Sequence, residues 1–187
     1  MRVIAGLFRG MTIISPKGND IRPTTDRVKE DIFNIIRPNI AEDTVFLDLF
    51  CGTGAIGIEA VSRGAGTAYL VDSSKEAIAL AAKNVEKTKM SDHFVLRRSE
   101  TASFLSSTRA RFDIIFMDPP YEFGGTDALA GAIRERGLLK EGGLLLIELS
   151  SRSKHDTPPG YELIREKVYS ATRVGFYKLL ANEGEEQ

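Results

Sequence analysis

Asp118-Pro119-Pro120-Tyr121 joins a carboxylate, two residues without a backbone N–H and an aromatic ring. Proline fixes φ and removes a donor, so the segment offers acceptors held rigidly, the Asp118 carboxylate and the Pro119 carbonyl, with Pro120 stiffening the turn. Two acceptors aimed at the protons of an aromatic amine favour a pyramidal nitrogen whose lone pair is free to attack. Tyr121 can stack on the ring that carries the amine. The chemistry suited to this group is alkylation of an exocyclic amine, and Asp118 need not be a strong base, because the proton can leave to it or to water afterwards. The plain alternative is a proline turn with a surface tyrosine.

A second constellation lies upstream. Asp48 stands near the end of an apolar run, and Gly52 and Gly54 follow where the chain turns into a helix, so the backbone can approach a ligand with no Cβ in between. An acid beside this turn is a poor neighbour for a pyrophosphate and a good one for a cation. S-adenosylmethionine meets those terms, with an ammonium group, a positive sulfonium and no phosphate. Asp72 ends the next apolar run, where doubly wound nucleotide binders place a carboxylate for the ribose hydroxyls. Taken alone, Asp72 could equally be a helix cap.

These residues need a frame, and the pattern supplies an α/β one: a doubly wound, Rossmann-like parallel sheet covered by helices. Apolar runs at Val45–Phe50, Ala68–Val71, Phe94–Leu96, Phe112–Met117 and Leu144–Glu148 read as strands. Between them, Ala55–Val61, Lys75–Lys87, Thr101–Leu105 and Asp127–Arg136 read as helices, and runs near Leu163–Tyr169 and Arg173–Leu179 as a closing antiparallel pair. Ser150–Gly160 is expected to be a loop. Upstream, Val3–Ile14 suits a small hairpin and Asp26–Ile36 an amphipathic helix with Val28, Ile32, Phe33 and Ile36 on one face. The expectation is a single domain over 1–187, with an extension at 1–40, a core at 41–181 and an acidic tail at 182–187.

Composition narrows the classes. The 187 residues are 42% hydrophobic and carry a formal net charge of −1, which by itself gives no signature of a nucleic-acid partner. Charge is uneven, however: Arg2, Arg9, Lys17, Arg22, Arg27 and Lys29 make the first stretch basic, against Glu183, Glu185 and Glu186 at the end. No apolar run suits a membrane span or a signal peptide, so a cytoplasmic location is expected. A lone Cys51 and two histidines leave little material for disulfides or metal sites, and no metal is expected.

Over nearly its full length the chain resembles the bacterial small-subunit (16S) ribosomal RNA guanine-N2 methyltransferases. The likeness is carried by Met1-Arg2-Val3-Ile4-Ala5-Gly6 with Arg9-Gly10, by Arg22-Pro23-Thr24-Thr25-Asp26-Arg27-Val28-Lys29-Glu30, by Leu47 to Gly54, by Glu59 to Ala65, and by Asp118-Pro119-Pro120-Tyr121. The resemblance implies a seven-stranded S-adenosyl-L-methionine-dependent methyltransferase sheet whose last strand is antiparallel, with a small N-terminal extension that grips RNA through Arg2, Arg9 and Arg22. It implies a cofactor held by Asp48, Gly52 and Gly54 at its methionine end, by Asp72 at the ribose and by Glu100 near the adenine, with Thr25 and Arg27 closing the pocket. Arg27 has three candidate partners: Asp118, Asp48 or an RNA phosphate. Cys51 reads as a small packing residue. Ribosomal RNA, within a 30S subunit or an assembly intermediate, is the implied partner of a monomer, the target base being turned out of its stack. Rival readings are an N-methyltransferase acting on another RNA, DNA or a protein amide and, from another class, a noncatalytic RNA-binding module or a nicotinamide-dependent oxidoreductase.

Overall fold

The computed structural model describes residues 1–16, 26–120, 123–153 and 156–181. Arg22, Thr25, Tyr121 and the acidic tail at 182–187 lie outside the described residues.

The chain runs α1 (Asp26–Ile36), a 3-10 turn (Arg37–Asn39), β1 (Val45–Leu49), α2 (Ala55–Ser62), β2 (Thr67–Asp72), α3 (Lys75–Thr88), β3 (Phe94–Arg98), α4 (Thr101–Ser107), β4 (Phe112–Met117), α5 (Thr126–Glu135), β5 (Leu139–Ser150), β6 (Tyr161–Val168) and β7 (Thr172–Leu179). These strands form one seven-stranded sheet in the order β3-β2-β1-β4-β5-β7-β6. β1 to β5 are mutually parallel, and β7 is antiparallel to both β5 and β6. The expected α/β sheet with an antiparallel last strand is therefore present.

Strand alternation divides the apolar residues between two layers. Phe46, Ile114, Phe116, Leu144 and Leu146 pack under α1, α2, α3 and the N-terminal hairpin. Leu47, Leu49, Ile115, Met117, Leu145 and Ile147 pack under α4 and α5. Burying each of these side chains is worth ~2 kcal/mol, which is why the parallel strands read as unbroken apolar runs. Val3 and Ile13 bring the hairpin into the first layer, where it is closed by a bridge between Arg2 and Thr12.

Most boundaries shift by one or two residues, and the largest departure from expectation is the start of β5. β5 begins at Leu139 rather than Leu144, because the strand passes through an irregularity instead of starting after it. Leu139 pairs with Phe112 and Leu144 with Ile114, and the glycines between them, with Gly142 at φ 71°, absorb the extra residues.

Strand order reverses between β1 and β4: the chain proceeds outward through β2 and β3, then crosses to β4 and β5. Such a switch point opens a crevice at the carboxyl ends of the two strands.

Candidate active site

Asp48 and Asp118 flank that crevice. Asp48 precedes Leu49, the last residue of β1, and Asp118 follows Met117, the β4 partner of Leu49. Asp48 is 1% exposed, and its Oδ2 accepts the backbone N–H of Gly57 at 2.9 Å. That bond needs α2 to lie close to the sheet, and glycine favours it, since a Cβ on residue 57 would sit 2.2 Å from Leu70 Cδ2 and force that side chain to shift. Gly57 was not read from the sequence, although its spacing after Gly52 and Gly54 was a usable signal.

The turn between β1 and α2 is held from β2. Phe50 adopts φ 62°, a left-handed conformation that costs a bulky residue on the order of 1 kcal/mol. Cys51 N–H donates to Val71 O at 3.0 Å, Gly54 N–H to Cys51 O at 2.8 Å, and Gly52 N–H to Asp72 Oδ2 at 2.9 Å. The other Asp72 oxygen accepts Ser74 N–H at 2.9 Å. The helix-cap alternative for Asp72 is corrected here, because Ser74 caps α3, its Oγ accepting Ala77 N–H at 3.2 Å. Gly52 has φ 52°, and nothing lies within 4 Å of where a Cβ would stand, so the turn shows bare backbone to open space.

The electrostatics are unusual. Burial pushes the Asp48 carboxyl up to about 8; the Gly57 N–H pulls it down, while the charges of Asp118 and Asp72 push it up further. Burial raises Asp118 to about 7. Among the described residues, none of the three carboxylates takes part in an ion pair. Three acids converge on one crevice with no ion-pair partner among the described residues, which suits a positively charged ligand and rejects a phosphate.

Pro119 is buried and Pro120 exposed, and Phe123 N–H donates to Pro120 O at 2.8 Å, closing a tight turn after Asp118. The Phe123 ring meets Phe50 edge-on, with centroids 5.3 Å apart, joining the rim of the β4 turn to the glycine turn. Phe123 was missed in the sequence; an aromatic three residues beyond Pro120 was the signal for it.

The remaining residues are scattered. Glu100 is exposed and directly precedes α4, and neighbouring Ser99 N–H donates to Asp72 O at 3.0 Å, so Glu100 lies on the Asp72 side of the crevice. Arg27 is exposed on α1 and pairs with neither Asp48 nor Asp118, which corrects two of its three candidate partners; its charge is felt instead at Tyr169, whose hydroxyl donates to Asp31 at 3.2 Å. Arg2 pairs with Asp26 at 3.6 Å on the surface. Arg9 lies at the other end of α2 from the glycine turn: Leu7 N–H donates to Ser62 O at 2.8 Å and Phe8 N–H to Ser62 Oγ at 2.9 Å. One helix of this length separates them by ~12 Å. Burial pushes the Cys51 thiol up, leaving a protonated packing residue as expected. Among the described residues no cluster of His, Cys, Asp or Glu is placed to hold a metal ion, and no helix is long and apolar enough to cross a membrane.

Comparison with known proteins adds a family. The family described as conserved hypothetical protein 95 matches residues 1–178. The ribosomal RNA small subunit methyltransferase D of Escherichia coli is 33% identical over 95% of this chain and 89% of its own, and that of Haemophilus influenzae is 31% identical over 97% and 94%. Among solved structures, the Escherichia coli protein yhhF superposes with a TM-score of 0.85 at 32% identity, covering 96% of this chain and 97% of the other. The chain thus belongs to the conserved hypothetical protein 95 family, together with the ribosomal RNA small subunit methyltransferase D proteins.

Proposed function

We propose that this chain is an S-adenosylmethionine-dependent methyltransferase that modifies the N2 amine of a guanine in small-subunit ribosomal RNA. The observation that carries the reading is the pair of carboxyls facing one switch-point crevice beside a glycine turn, Asp48 buried and Asp118 half-buried, with no ion-pair partner among the described residues. The names of the relatives support the substrate class.

The residues fit the cofactor on chemical grounds. Asp48 would attract its ammonium end, the bare turn at Gly52 and Gly54 would receive it closely, and Asp72, already bonded to Gly52, would reach the ribose. Glu100 stands on the adenine side, and Thr25 and Arg27 are proposed to close the pocket. When bound, S-adenosylmethionine supplies an electrophilic methyl group on a positive sulfur.

The chain's own contribution is to bind and orient. The Asp118 carboxylate and the Pro119 carbonyl accept the two protons of the target amine, which localises the lone pair. The proton released on transfer passes to Asp118 or to water. Tyr121 is proposed to stack on a base turned out of its helix, and the Phe50–Phe123 pair borders the same crevice. Arg2 and Arg22 are proposed to grip the RNA, and Arg9, at the remote end of α2, to touch it away from the target. The finer reading is a 30S subunit or assembly intermediate as substrate and a monomer as the enzyme.

Incubating the protein with tritiated cofactor and small ribosomal subunits from a strain lacking the enzyme, then mapping the label, tests this directly. Label on a guanine N2 is expected. Label on another group, or tight binding of NAD in place of S-adenosylhomocysteine, overturns the reading.

A further inference from the structure

We propose that Asn84 is a positioning residue that couples the N-terminal hairpin to the cofactor turn. The inference rests on the methyltransferase reading and concerns how two parts of that site communicate.

Asn84 is fully buried on α3. Its Oδ1 accepts Ile14 N–H at 2.7 Å, while its Nδ2 donates to Ile14 O at 3.0 Å and to Thr53 O at 3.0 Å. One primary amide thus pairs with the end of the hairpin as a neighbouring strand would, and spends its remaining donor on the residue between Gly52 and Gly54. Ala81, one turn earlier on α3, is the surface on which that turn rests: a Cβ on Gly54 would lie 3.3 Å from the Ala81 Cβ. Helix α3 therefore holds the cofactor turn and the hairpin with adjacent side chains, and only Asn84 bonds to both.

A buried polar side chain is kept only when its donors and acceptors are satisfied, and here the partners come from two segments far apart in sequence. Loosening either segment strands part of the amide. A ligand that orders the glycine turn consequently orders Ile14 and the hairpin behind it, and RNA held by the hairpin strengthens cofactor binding by the same factor.

Hydrogen exchange followed by mass spectrometry on the full chain, with and without S-adenosylhomocysteine, reads this coupling. In the wild type the ligand should slow exchange in residues 50–57 and also in residues 1–16, the latter by about fivefold or more. Asn84→Asp keeps the acceptor for Ile14 N–H but loses both donations; Asn84→Ala loses all three bonds and introduces no charge. In either variant, slowing at 50–57 should persist while slowing at 1–16 disappears. Lys87→Ala is the control, since Lys87 Nζ donates to Thr12 O on the hairpin and makes no bond to the turn. It should keep the ligand response even if hairpin exchange is faster overall, as a merely structural contact would. Equal slowing at 1–16 in wild type and in either Asn84 variant overturns the coupling, as does no slowing there in the wild type. Failure to slow 50–57 in the wild type would instead sink the cofactor reading, and the coupling with it.

Discussion

Glu59 on α2 and Asp48 beneath it are both buried carboxylates, and their surroundings are opposites. Glu59 accepts the N–H groups of Ile4 at 2.8 Å and Ala5 at 3.0 Å and Arg63 Nε at 2.8 Å, and lies 3.4 Å from the fully buried ammonium of Lys29. That ammonium donates in turn to Arg2 O at 2.5 Å, and Arg63 packs 5.1 Å from the centre of the Phe33 ring. Among the described residues, Asp48 has one N–H donor and two further carboxylates for neighbours. The first centre balances its charge within the chain, leaving only Arg63 Nη2 without a hydrogen-bond partner among the described residues, and it fastens the hairpin to the sheet. The second has no ion-pair partner among the described residues and favours a neutral acid or an added cation, and this is what separates a structural polar cluster from a binding site.

Asp118→Ala should break the comparison most visibly. Methyl transfer is expected to fall by on the order of 10³, with S-adenosylhomocysteine affinity nearly unchanged, because the lost acceptor acts on the amine rather than on the ligand. Single-turnover assays and calorimetric titration together check it; parallel losses in both would mean that Asp118 belongs to the cofactor pocket. On the structural side, Lys29→Ala leaves Glu59 short of a buried partner and should destabilise the fold by ~3 kcal/mol in urea unfolding. Ligand affinity of the folded protein should hold.

Asp48→Asn sharpens the contrast, since its two effects have opposite sign. Removing an uncompensated buried charge should raise the stability of the ligand-free protein by ~1 kcal/mol while weakening S-adenosylhomocysteine binding by about tenfold. A melting curve and a titration on one sample decide it, and a variant less stable than wild type would show that Asp48 is already balanced.

The smallest effect concerns pH. Asp48 and Asp118 titrate higher in the folded chain, near 8 and 7, than the ordinary 3.8. The folded state therefore binds more protons, and its stability is highest below about pH 4 as far as these groups are concerned, then declines up to about pH 8. A cationic ligand opposes the decline. The gap in melting temperature between ligand-bound and ligand-free protein should thus widen from pH 6 to pH 8, and narrow again in Asp48→Asn.

Much of this could be read from residue order. Unbroken apolar runs and helical spacing locate the elements because burial on both faces and on one face leave different periods. Asp48, Gly52, Gly54, Asp72 and Asp118 follow from where strands end. What escaped depends on contacts between segments distant in sequence. Gly57 is needed because Leu70 crowds it, Phe123 because Phe50 turns towards it, and Asn84 because Ile14 and Thr53 both reach it. Arg27 could not be assigned a partner, since a long side chain on a surface helix takes its neighbour from the packing of that helix.

Sequence alone settled which residues are apolar, where glycine and proline permit or forbid a turn, and hence the type and order of the elements. Those are local matters, governed by backbone sterics and side-chain periodicity. Only the tertiary structure decided that one buried acid is neutralised by Lys29 and Arg63 while another is left facing Asp118 and Asp72. The charge of a carboxyl group depends on what is folded against it and how far water is kept away, and neither is written in its place along the chain.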